Sequence, residues 1–171
     1  AQSISHDIFD GLLKKYVNAQ GNVDYSGMKK DQQTLNKYLD LVSKHEPNLT
    51  WSQEEQLAYW INAYNAFTIS LVLKHYPVAS IKDIKRGISF INSVWDIKFI
   101  KIGKETYDLN NIEHGILRKK FNEPRIHFAI NCASYSCPRL SNEAYTASKL
   151  DAQLSAAARG FLSDKTKNNI Q

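Results

Sequence analysis

The sequence predicts a single α+β domain, mainly helical, with a small antiparallel or mixed sheet. Two observations carry this. Most of the chain places its apolar residues three and four apart, and only two short stretches alternate. A third observation sets the scale: 171 residues, 43% of them hydrophobic, suffice for one compact core. Neither an internal repeat nor a low-complexity linker divides the chain, so 1–171 is read as one unit.

Ser3 to Tyr16 carries Ile4, Ile8, Phe9, Leu12, Leu13 and Tyr16 at helical spacing. Residues 19–24 read as a turn, with Gly21 as the left-handed residue. Asp31 opens a second helix bearing Leu35, Tyr38, Leu39, Leu41 and Val42, and Pro47 and Asn48 end that region. Ser52 and Glu55 then form a capping box, each satisfying an amide the other leaves orphaned. The helix they start is apolar nearly all round until Lys74, which predicts burial on several sides.

Ile97 to Ile102 reads as a strand that turns at Gly103-Lys104 and returns through Tyr107. Asp108 caps the next helix, whose inner face carries Leu109, Ile112, Ile116 and Leu117, with Gly115 a weak point unless something packs closely there. Alternation over Arg125 to Cys132 predicts another strand, with Ile126, Phe128, Ile130 and Cys132 on one face and Arg125, His127, Ala129 and Asn131 on the other. Ser148 to Leu162 predicts a final helix.

The net charge is +5, but the lysines and arginines are dispersed and only pair up. A nucleic-acid footprint would cluster on one face, so a solvated surface is the favoured reading and no nucleic-acid partner is expected. No apolar run approaches the roughly 18 residues of a membrane span. Ala1-Gln2 has the look of a mature chain after signal removal, and two close cysteines fit an oxidising compartment. A periplasmic or secreted location is therefore expected.

The chemistry concentrates in Arg125-Ile-His-Phe-Ala-Ile-Asn-Cys-Ala-Ser-Tyr-Ser-Cys-Pro138, which holds both cysteines, Cys132 and Cys137. Three readings of the pair stand: a structural disulfide, a catalytic Cys132 thiolate and a buried inert thiol. If Cys132 is a nucleophile, His114 is the better base, because alternation turns His127 to the opposite face. His114 and Arg118 share a helical face, and Glu113 lies on a neighbouring flank, where it serves a different partner from His114. Asn62 and Asn65 lie on the buried helix, and a buried amide needs partners. A backbone clamp is the favoured reading; contact with a substrate carbonyl or oxyanion is the functional one. Two cysteines make no Cys-rich zinc site, and neither a phosphate-cradling glycine loop nor a G-x-S-x-G nucleophile motif appears. No metal or cofactor is expected.

Tyr59-Trp-Ile-Asn-Ala-Tyr-Asn-Ala66, Ile112-Glu-His-Gly-Ile-Leu-Arg118 and the cysteine block, together with Gly21-Asn-Val-Asp-Tyr25, resemble the DUF547 family. The name marks a domain of unknown function. The resemblance implies a bacterial origin and export; the family usually continues into a further C-terminal segment, so either that part is removed here or this member is short. The family's Cys and His bring papain- and transglutaminase-like folds to mind by analogy. Two functions follow. The first is an exported domain that binds a peptide-like or small anionic ligand near Cys132, through Asn62, Asn65, Arg118, Arg125, His127 and Asn131. The second is a thiol hydrolase or acyltransferase in which Cys132 attacks, His114 relays the proton and Glu113 orients a catalytic group. Both require the 59–66, 112–118 and cysteine-bearing segments to share one pocket.

Overall fold

A computed structural model describes residues 3–78, 81–85, 93–134 and 137–167. Ser136 of the polar turn and the terminal 168–171 lie outside the described residues. The domain is mainly helical α+β, as the spacing predicts. In chain order come α1 (Asp7–Tyr16), α2 (Tyr25–Lys30), α3 (Gln32–Lys44) and α4 (Gln53–His75). The hairpin β1 (Ile100–Ile102) and β2 (Glu105–Tyr107) follows, then a π-helix (Asn111–Leu117) that runs into α5 (Arg118–Lys120). The last elements are α6 (Ile126–Ala129) and α7 (Leu150–Leu162).

Helix α4 is the hub. Its capping box forms as the sequence predicts: the Glu55 amide donates to Ser52 Oγ at 3.1 Å, and the Ser52 amide donates to Glu55 Oε2 at 2.8 Å. Such a cap stabilises a helix by about 1 kcal/mol. From Leu57 to Leu73 almost every residue is buried, because α2, α3 and the π-helix all pack on it. The Tyr59 hydroxyl donates to the Val42 carbonyl on α3 at 2.7 Å, and Lys29 Nζ on α2 donates to the Leu73 carbonyl at 2.5 Å. A largely apolar helix thus gains polar ties toward both ends without exposing its sides.

The hairpin pairs Ile100 with Tyr107 and Ile102 with Glu105, turning at Gly103 in the left-handed region. Ile100 and Ile102 point into the core, as alternation requires. Asp108 caps the following helix, its carboxylate accepting from the Asn111 amide at 2.6 Å, and Leu109, Ile112, Ile116 and Leu117 are buried as predicted. No helix among the described residues is long and apolar enough to cross a membrane.

Two features depart from the sequence reading. Helix α2 lies between the expected turn at 19–24 and the helix expected from Asp31, where no element was read; Asp24 caps it by accepting from the Gly27 amide at 2.9 Å. The strand expected over Arg125 to Cys132 is instead the single helical turn α6. Pro124 is compatible with a first helical turn, and the His127 amide donates to its carbonyl. Ile126, Ala129 and Ile130 are the buried residues, a spacing of three and four that the alternating Phe128 disguised. No face-by-face separation of His127 from Cys132 survives this change.

Candidate functional site

The site is assembled around two asparagines. Asn62 and Asn65 lie three residues apart on α4 and therefore on one face. Asn62 Nδ2 donates to the Tyr145 carbonyl at 2.8 Å, and its Oδ1 accepts from the Tyr145 amide at 2.9 Å. Asn65 repeats the pattern one turn on, donating to the Ala129 carbonyl at 3.1 Å and accepting from the Asn131 amide at 2.9 Å. Each amide mimics a strand edge for a segment that has no strand partner. They are 0% and 2% exposed, so both side chains serve the backbone, in agreement with the clamp reading. A ligand role for either needs one of these bonds to open.

The Asn65 clamp delivers the chain to the cysteine turn. Asn131 continues the work: its Oδ1 accepts from the Ala133 amide at 2.9 Å, and its Nδ2 donates to the Pro138 carbonyl at 2.8 Å. Cys132 and Cys137 are bonded to each other and close the turn covalently. Ala133, between them, has a φ of 55°. A non-glycine residue in that region costs about 1–2 kcal/mol, and the Asn131 side chain and the sulfur bridge hold it there. In the bonded state neither sulfur is a thiolate, so neither is a nucleophile.

A second cluster lies on the π-helix. There the Arg118 amide donates to the Glu113 carbonyl, five residues back. In an α-helix these two side chains would diverge by about 140°. The wider winding puts them together instead, and Arg118 Nε and Nη2 both donate to Glu113 Oε1, at 3.1 and 2.8 Å. Tyr64, from α4, faces the same carboxylate, whose charge acts on its hydroxyl. Burial, then the Glu113 charge, pushes the Tyr64 phenol well above its usual range, so it stays a donor. Arg118 Nη2 also lies 3.2 Å from His127 Nδ1. A guanidinium only donates, so this contact selects the His127 tautomer with its proton on Nε2. His114 is exposed on the π-helix and does not line the cavity at the bridged turn. Nothing among the described residues packs within 4 Å of where a Gly115 Cβ would stand, so no close packing offsets the weak point there.

Arg125 has a structural engagement. It pairs with Glu123 at 2.7 Å and with Asp151 at 2.9 Å, and donates to Ser155 Oγ at 2.6 Å, tying α6 to α7. The three segments expected to share one pocket do adjoin, through Asn65 to residues 129–131, Tyr64 to Glu113, and Arg118 to His127. They nevertheless do not share one cavity, and no residue of 59–66 lines either the cavity at 118–127 or the one at the bridged turn. Arg118 and His127 border the first, of about 290 Å³, together with Phe121 and Asn122.

The larger cavity, about 470 Å³, lies at the bridged turn. One wall is Asn131, Ala133, Ser134 and Cys137; a second is the 20–25 segment with Tyr25; the third is Arg139 with 164–167. Arg139 Nη2 pairs with Asp164 at 3.1 Å, and Lys167 Nζ donates to the Cys137 carbonyl. The sequence reading missed Tyr25, Asp164 and Lys167. Only the resemblance of Gly21-Asn-Val-Asp-Tyr25 to the same family as the cysteine block pointed to the second wall. Gly21 explains the approach: a Cβ on it would stand 2.8 Å from Arg139 Cβ and 3.1 Å from the Leu140 nitrogen. Among the described residues, no group of three or more His, Cys, Asp or Glu side chains is placed to hold a metal.

Fold and site together define a mainly helical α+β domain whose asparagine clamps present a disulfide-closed turn to a cavity of mixed polarity. The chain belongs to the family described as "Protein of unknown function, DUF547", which matches residues 48–162. No curated protein and no solved structure matches it.

Proposed function

We infer that this is an exported ligand-binding domain whose cavity at the Cys132–Cys137 turn takes a peptide-like or small anionic ligand. The observation that carries the reading is the cavity itself, about 470 Å³, walled by both polar and apolar side chains beside a disulfide-closed turn. That volume falls in the range of small-molecule sites. The bridge supports export, since such bonds persist in oxidising compartments. Titration of isotope-labelled protein with N-acetylated tripeptides and with succinate tests the reading. Saturable amide shifts at Asn22, Ala133 and Arg139 are expected; an unchanged spectrum at millimolar ligand defeats it.

The adjoining of the three family segments favours a second reading, a papain- or transglutaminase-like thiol hydrolase or acyltransferase using Cys132 and His114. It requires the bridge to open first, because the attacking atom is otherwise bonded. Thiol counting on native protein separates the two. Absence of reactive thiol supports binding, and one rapidly alkylated Cys132 supports the enzyme.

A further inference from the structure

Resting on the binding reading above, we propose that the cavity at the bridged turn recognises the free C-terminal carboxylate of a short peptide, with Arg139 and Lys167 as the two cationic contacts. The charge is the first argument. The described lining holds two cations, Arg139 and Lys167, and one anion, Asp164, for a net of +1. That matches a monoanion.

The geometry of the cations is the second. Arg139 gives Nε and Nη2 to Asp164, at 3.3 and 3.1 Å, and among the described residues its Nη1 has no hydrogen-bond partner. The side chain is 45% exposed. Asp164 accepts on its other oxygen from the Thr166 amide at 3.0 Å and hydroxyl at 2.6 Å. The guanidinium is therefore held in place on one edge and open on another, which is the form a carboxylate uses best. Lys167 donates one of its protons to the Cys137 carbonyl and keeps others available beside it.

The third argument is size and polarity. A lone carboxylate or phosphate would leave most of about 470 Å³ empty. The remaining wall suits a peptide: Gln20, Asn22 and Ser134 offer amide and hydroxyl groups to its backbone. Tyr25, Val23 and Pro138 offer apolar surface to a side chain.

The test is calorimetric titration of the full chain with N-acetyl-Ala-Ala-Phe as the free acid and as the carboxamide. Binding of the acid is expected, with the carboxamide about tenfold weaker or more, the scale of one charge-assisted contact. Lys167→Gln should weaken the acid several-fold and the carboxamide much less, with the fold retained in thermal unfolding. Equal affinity for acid and carboxamide overturns carboxylate recognition while leaving a binding domain. Equal displacement by inorganic phosphate overturns it too, since charge alone would then suffice. Binding of neither form defeats the underlying reading as well.

Discussion

Asn62 makes two hydrogen bonds, to the Tyr145 amide and carbonyl, in a place that water does not reach. Asn62→Leu keeps the side-chain size and removes both. Each stranded buried backbone group costs about 1–3 kcal/mol, or roughly 2–6 kcal/mol for the pair before the apolar side chain offsets part of it. A net loss of about 3 kcal/mol is expected, a large share of the roughly 5–15 kcal/mol that holds a domain folded. Urea unfolding followed by the fluorescence of Trp51, Trp60 and Trp95 measures it, with an unchanged denaturant slope marking a true stability effect. Asn62→Asp sharpens the reasoning. It preserves the acceptor facing the Tyr145 amide but turns an oxygen toward the Tyr145 carbonyl. Only the protonated acid can donate there, so its folded-state pKa lies above the unfolded value. The Asp variant should therefore approach wild type at low pH and lose stability as pH rises through about 4 and beyond. An Asn62→Leu penalty under about 1 kcal/mol, with no pH dependence in the Asp variant, would refute the clamp as a source of stability.

His6 Nδ1 and the Tyr38 hydroxyl share a hydrogen bond of 2.7 Å, and burial lowers the His6 pKa to about 4, with Asp7 opposing. The neutral ring is the folded form, so stability is complete above the unfolded value near 6.5 and falls as pH drops toward 4, by roughly 3 kcal/mol. His6→Gln should flatten that part of the stability profile, and a parallel profile would disprove it. Gly21→Ala forces a left-handed alanine against Arg139 and Leu140, so thermal unfolding should show a loss of at least about 1–2 kcal/mol. Replacing both cysteines by alanine removes a bridge of sequence separation 5, worth about 2 kcal/mol by loop entropy. A variant as stable as wild type in calorimetry would show that the Asn65 and Asn131 bonds alone hold the turn.

Local rules found the elements whose signals are local. The capping box of α4, the Asp108 cap and the Gly103 turn are each complete within a few residues, and each forms. The segment from Arg125 to Cys132 was misread because its alternation is real in sequence, while its backbone partners lie far away, on Asn65. The Glu113–Arg118 pair escaped notice because α-helical geometry separates those positions and the π-helix rejoins them.

Residue order alone thus determined the mainly helical class, the buried α4, the hairpin and the family, since each rests on periodicity, capping or neighbouring residues. Packing decided the rest. It chose a bridged turn over a free thiol, set His114 apart from the cavity and brought Tyr25, Arg139, Asp164 and Lys167 to one opening. The wall formed by 20–25 depends on contacts such as Gly21 against Arg139, more than a hundred positions apart, and the intervening chain carries no local trace of them.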